Sequence, residues 1–488
     1  MISTGSIREE RISAAAAPVL LPGFVGTELP EWLAVRLRGG LGGVCLFAEN
    51  ITSPEQLRAL TAAIRAANPR ALIAIDEEGG DVSRLHAATG SPYPGNAVLG
   101  RIDDTELTAS VGAAVATELR AAGVNLNFAP DADINSDPDN PVIGVRSFGT
   151  DAALVARHTA AWVAAHEAQG VAVSAKHFPG HGDTSADSHH ALPVVDLPLD
   201  TLRSRELEPF RAAIAAGART IMSSHILLPQ LDADQPATFS PRILGELLRG
   251  AVDEGGLGFD GVVVSDALDM AGASGEIGIA AAAVRALAGG CDLLCIGTRN
   301  TDAQLAEIEA AIGAAVASGA LAADRLADAV ARVSALSVSL EQAPEAAPST
   351  FVPDAARIAS AFEVRGGVEV PAGARLVALE TTANMAVGDV PWGLASAGLA
   401  PERLREGDAL PPSDVPYLIV GKDNHRRGWT RDLIDRARAA QPATVVIDMG
   451  WPGADRAYAD IATFGASASV SAALRTVLDG TVQDGRSR

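Results

Sequence analysis

VAVSAKHFPGHGDTSADSHHALP, Val171 to Pro193, is the stretch from which the fold can be read. It opens on a β-branched run, Val171 to Ser174, and a helix-patterned stretch, Ala152 to Gln169, precedes it. It then breaks into a loop that Pro179, Gly180 and Gly182 keep from becoming a regular helix. Four of the chain's nine histidines lie on this segment, beside Lys176, Asp183 and Asp187. Helix, short apolar strand and polar loop in that order form the repeating unit of a parallel α/β fold. A loop launched from a rigid strand is also how enzymes commonly present their functional groups.

The same unit recurs on both sides. Helix-like Pro30 to Leu37 leads into the strand Gly42 to Phe47. Pro54 to Ala67 leads into Ala71 to Ile75, which ends in Asp76-Glu77-Glu78-Gly79-Gly80. Thr105 to Ala122 precedes Val124 to Phe128, and Leu202 to Ala216 precedes Thr220 to Met222. Arg242 to Val252 precedes Gly261 to Val264, which ends in Ser265-Asp266; Ile279 to Ala288 precedes Asp292 to Ile296; two helical segments follow between Asp302 and Leu336. Single helices between β-branched strands imply parallel pairing, and roughly eight such units in the first 340 residues predict a (β/α)8 barrel. The polar residues stand just past the strand C-termini, on the catalytic face of such a barrel.

EQAPEAAPSTFVP, Glu341 to Pro353, is rich in Pro and Ala and reads as a linker. The expected organisation is a catalytic barrel at 1–340, a linker at 341–353 and a smaller α/β sandwich domain at 354–488. In that last part Arg375 to Leu379, Tyr417 to Val420 and Thr444 to Ile447 read as strands, Arg431 to Ala440 and Ser471 to Leu478 as helices. A length of 488 residues suits two domains, and 48% hydrophobic residues supply their cores.

A net charge of −22 argues against nucleic acid or an anionic membrane surface as partner. Cys45, Cys291 and Cys295, each in an apolar strand-like context, read as buried thiols, too few for a disulfide framework. No stretch is long and apolar enough to span a bilayer, and MISTGSIREERISAAAAPVLLPG makes a poor secretory signal, so a cytoplasmic address is expected.

Asp187 and His189, two apart on an irregular loop, are close enough for the carboxylate to hydrogen-bond the imidazole, an arrangement suited to a histidine that donates and retrieves a proton. Asp266 follows three valines at a strand end, where it acts either as a nucleophile or as a helix cap. Asp76, Arg146, Lys176 and His177 offer donors and acceptors suited to a polyhydroxylated ligand, and equally to structural ion pairs. His177, His181, Asp183, Asp187, His189 and His190 include zinc-ligand types, but they have no helical metal spacing and no metal is expected. Gly39-Gly40 and Gly42-Gly43 precede a strand, whereas a dinucleotide fingerprint follows one.

KHFPGHGDTSADSH (Lys176 to His189), SDALDM (Ser265 to Met270), DEEGG (Asp76 to Gly80) and NPVIGVRSFG (Asn140 to Gly149) together resemble the bacterial β-N-acetylglucosaminidases of glycoside hydrolase family 3. The resemblance implies a retaining exo-β-N-acetylhexosaminidase acting on N-acetylglucosamine-containing oligosaccharides such as peptidoglycan or chitin fragments, with no cofactor. By motif position it makes Asp266 the nucleophile, His189 the acid/base and Asp187 its partner, and sets Asp76, Arg146, Lys176, His177 and Met270 around the sugar of the −1 subsite. Asp81 departs from the pattern: it stands where the family carries Arg and reverses a charge near the leaving-group subsite. The alternatives are a phosphorylase using phosphate as acceptor and a catalytically silent carbohydrate-binding barrel. GKDNHRRGW, Gly421 to Trp429, is a basic segment on an acidic chain, either facing the catalytic mouth or forming an exposed solubilising loop.

Overall fold

The structure is a computed structural model and describes residues 15–184, 188, 192–343, 347–381, 384–388 and 392–484. Its first part is a curled parallel sheet of eight strands: β1 (Leu20–Pro22), β2 (Gly43–Leu46), β3 (Leu72–Ile75), β4 (Leu126–Asn127), β5 (Ala172–Phe178), β6 (Thr220–Ser223), β7 (Val262–Val264) and β8 (Leu294–Gly297). β2 to β7 pair in sequence order, a Val264–Leu293 bridge continues to β8, and β8 pairs with β1. The sequence reading passed over β1, whose Leu20 and Leu21 sit in a short apolar run at the chain's start.

Alternation along each strand divides the core into two layers. Leu21, Leu72, Ala74, Val262 and Val264 point into the barrel, while Leu20, Ile73, Ile75 and Val263 face the surrounding helices. Val333, Leu336 and Leu340 of the helix Ala323–Glu341 join the inner layer. The helices start where their caps dictate. Ser53, Asp151 and Thr301 each accept a backbone N–H from the first turn of the helices Pro54–Ala67, Ala152–Ala168 and Asp302–Ser318. In the second of these, Val155, His158, Thr159, Trp162, Val163 and His166 form one buried stripe.

Two expected helices are less regular than their periodicity implies. Leu202–Glu206 winds in wide i→i+5 turns before the helix Glu208–Ala215, because Pro209 has no N–H to continue the ladder. Arg242–Arg249 is wound in the same wide way.

The C-terminal sheet holds β9 (Glu363–Val364), β10 (Arg375–Leu379), β11 (Glu402–Leu404), β12 (Tyr417–Gly421), β13 (Val445–Asp448) and β14 (Ile461–Ala462) in the order β11-β10-β12-β13-β14-β9, with only β9 antiparallel. One face packs Val377, Ile419 and Val446 on Leu433, Ile434 and Ala437 of the helix Gly428–Ala440; the other packs Leu418, Val420 and Ile447 on Val470, Ala473 and Leu474.

The two sheets are joined by specific contacts. Asp81, almost fully buried, pairs with Lys422 and accepts the Ala466 N–H at 2.8 Å. Its carboxylate therefore meets a cation from the C-terminal part and does not line the cavity described below. Arg101 lies 3.9 Å over the Phe464 ring and donates to the Ala361 carbonyl at 2.7 Å. Between the sheets, the Ser349 N–H donates to Thr117 Oγ1 at 3.0 Å, and the Phe351 ring lies 5.9 Å from that of Tyr93.

Candidate active site

A cavity of about 230 Å³ opens at the C-terminal ends of the barrel strands. It is smaller than the ~300–1,000 Å³ of a drug-sized ligand site, which limits it to about one sugar unit. Asp76, Arg146, Lys176, His177, Asp266 and Met270 all line it, so six of the eight residues singled out from the sequence come together. Asp187 and His189 lie outside the described residues, as does His190. Ser188, between them in sequence, lines the cavity; its Oγ is 3.0 Å from His181 Nε2, and its carbonyl accepts the Gly272 N–H at 3.2 Å.

The floor is a buried charge network whose centre is Glu78. Arg146 clamps it from two nitrogens, Nη2 at 2.7 Å and Nε at 2.9 Å, and Lys176 Nζ sits 2.7 Å from both Glu78 Oε1 and Asp76 Oδ1. Burial opposes ionisation of Glu78, but Arg146 and Lys176 outweigh it and hold its carboxyl well below the usual range. Lys176, likewise opposed by burial, is held charged by Asp76 and Glu78. His177 Nδ1 lies 2.6 Å from Asp133 Oδ2, and this carboxylate overcomes burial to raise the imidazole's pKa. His181 follows the opposite course: burial, aided by the charge of His177, pushes it down to about 4, leaving it neutral.

Glu78 and Asp133 were missed as site residues, though DEEGG and the Asp131-Ala132-Asp133 run past the third predicted strand displayed them. Asp269, five residues beyond Val264, also lines the cavity and accepts the Thr298 N–H at 2.8 Å. A Cβ built on Gly297 would stand 2.0 Å from the Asp269 carboxyl carbon, so that position admits only glycine. Residues 421–429 do not line this cavity; Lys422 is turned to Asp81 and Arg426 to the Asn140 carbonyl.

Asp131, Asp133 and His177 place three ligand-type atoms within 4.8 Å. The Arg146 guanidinium already stands 3.4 Å from Asp131 Oδ2, and His177 bonds Asp133, so side-chain cations meet the charge of this cluster. Burial, reinforced by Asp133, pushes the Asp131 carboxyl from 3.8 up to about 8. The stability this group contributes is whole below its unfolded pKa and is lost as pH rises toward 8, because only the unfolded chain then binds it ionised. Asp131→Asn, neutral at every pH, is expected to gain stability relative to the parent as pH rises from about 5 to about 8, within the window over which only the unfolded parent ionises this group. Denaturant unfolding at both values checks this, and an equal difference at both would mean Asp131 is ionised in the fold.

Comparison with known proteins places this geometry. Residues 26–336 match the glycosyl hydrolase family 3 N-terminal domain. The chain is 36% identical over 338 residues to Beta-hexosaminidase A of Pseudoalteromonas piscicida, an alignment covering 64% of this chain and 56% of that protein. It is 41% identical over 267 residues to a Beta-hexosaminidase of Pseudomonas aeruginosa (strain LESB58), covering 54% of this chain and 78% of that one. The glycoside hydrolase family 3 β-N-acetylglucosaminidase of Paenibacillus sp. str. FPU-7 superposes with a TM-score of 0.81 at 30% identity over 96% of both chains. With its barrel matched over more than half of the sequence and both sheets reproduced in a relative, the chain belongs to glycoside hydrolase family 3.

Proposed function

We propose that the protein is a retaining exo-β-N-acetylhexosaminidase that removes terminal β-linked N-acetylglucosamine from amino-sugar oligosaccharides, peptidoglycan or chitin fragments, in the cytoplasm. The observation that carries this reading is that Asp266 shares one sugar-sized cavity with Asp76, Arg146, Lys176 and His177. Asp76 accepts from sugar hydroxyls, and the Lys176 and Arg146 cations donate to them. Asp266 attacks the anomeric carbon and forms a glycosyl ester while His189, oriented by Asp187, gives its proton to the departing oxygen. His189 then takes a proton from water, which attacks the same carbon and frees Asp266. Most retaining glycosidases use two carboxyl groups about 5 Å apart; here a histidine on the loop replaces one. A fluorinated glycosyl donor should leave its sugar on Asp266, and an adduct on another residue would overturn the assignment. Turnover with and without phosphate, with a search for a sugar 1-phosphate, separates hydrolysis from phosphorolysis.

The leaving group reports on His189. His189→Ala should cost about 10²–10⁴-fold on a natural disaccharide, whose oxygen needs a proton, and far less on the glycosylation step of a nitrophenyl glycoside. Azide, which needs no base, should partly restore the second step. Equal losses on both substrates without an azide effect would make His189 a binding residue.

The chain is further proposed to divide at 341–353 into separately folding parts. Limited proteolysis should cut first within this segment, and the fragments should stay associated, since Asp81–Lys422 and Arg101–Phe464 bridge them. First cleavage elsewhere would count against the division.

A further inference from the structure

A second cavity, of about 810 Å³, lies at the C-terminal ends of β10, β11 and β12. The strand order turns around there. The chain leaves β10 toward β11 at the sheet edge, returns to β12 on the other side of β10, and then proceeds to β13. In open parallel sheets the crevice outside the carboxyl ends at such a reversal is where ligands bind. The volume is within the ~300–1,000 Å³ of small-molecule sites.

Its lining has a definite chemistry. Arg403 and Arg405 come from β11 and just beyond it, and Arg427 from the turn before the helix Gly428–Ala440. Glu380 accepts from both Arg403 Nη1 and Arg405 Nε at 2.8 Å, so one carboxylate orients two guanidiniums. Glu406 is the other acid on the wall, which leaves the three arginines in excess on a chain of net charge −22. Two of the chain's five tryptophans, Trp392 and Trp429, line the same space half-buried. Guanidiniums recognise carboxylate or phosphate by paired hydrogen bonds, and flat aromatic faces pack against rings.

We propose that this crevice is a second ligand site, for an anionic saccharide whose ring lies against Trp392 and Trp429 and whose acidic group pairs with the arginines. It is distinct from the catalytic cavity but adjoins it, because Met385 lines both.

Calorimetric titration of the full chain with glucuronic acid, glucose 6-phosphate, glucose and adenosine monophosphate tests the site without relying on turnover. At least one of the two acids should bind saturably and glucose should not; which acid binds decides between carboxylate and phosphate. Arg405→Ala and Trp429→Leu should each weaken that binding about tenfold or more. The thermal midpoint of each variant shows that it is folded, and Arg405, 75% exposed, should leave the midpoint unmoved. Absence of saturable binding by either acid, equal affinity in both variants, or binding by adenosine monophosphate alone would overturn the proposal. Weakening in Arg405→Ala but not in Trp429→Leu would overturn its saccharide part.

Discussion

Asp266→Ala should lower turnover about 10⁴-fold or more, even on nitrophenyl glycosides whose leaving group needs no proton. The size of the effect follows from how the residue is held. Val262 and Val264 are locked in the barrel interior, the Ser265 N–H donates to the Leu293 carbonyl at 2.9 Å, and Ser265 Oγ accepts the Cys295 N–H at 3.1 Å. The Asp266 carboxylate is itself fixed by the Ala267 N–H at 2.8 Å. Its backbone is thus set by β7 and β8 and not by its own side chain, so truncation removes the chemistry and leaves the strand end in place. Circular dichroism and a melting curve should match the parent while initial rates collapse. Rates within about tenfold of the parent would move the nucleophile elsewhere, with Asp269 the nearest carboxylate along the chain.

Glu78→Gln should be the most damaging change in the floor, costing about 3–5 kcal/mol of stability. Glu78 is 3% exposed and serves two cations at once. Glutamine keeps the shape but offers one acceptor oxygen, and its NH₂ group faces a guanidinium or an ammonium. Arg146 and Lys176 would then be buried with less than their neutralising charge. KM should rise along with the loss of stability, because the same two side chains line the cavity proposed to hold the sugar. Denaturant unfolding and KM measured on one preparation check both halves. An unchanged unfolding midpoint would mean that Asp76 and the other neighbours suffice to hold the two cations without Glu78.

The parts of this protein that could be read from sequence are those whose information is local. Strands β2 to β8 announce themselves as short apolar runs after helix-patterned stretches, and several, such as β3 before Asp76 and β7 before Ser265-Asp266, lead straight into polar residues. β1 does not, because Leu20–Pro22 is only three residues long and takes its place by pairing with β8, almost the whole barrel later. The same limit applied in the site. Asp76, Lys176 and His177 stand at strand ends and were picked out, whereas Glu78 owes its importance to Arg146, 68 positions away. Asp133 likewise matters through His177, 44 positions on, and a motif shows neither partner. Segment 421–429 was legible as basic but not in direction, since its orientation depends on Asp81, at the other end of the chain.

That pairing carries an evolutionary consequence. Asp81 belongs to the first half of the chain, and a lysine from the far half answers it inside a closed interface. Neither residue can drift by itself without leaving a charge stranded away from water. A change of charge at one position therefore calls for a compensating change at the other. A C-terminal part that offered no cation at position 422 would leave Asp81 buried without its ion-pair partner, so the two halves are matched by charge as well as by shape.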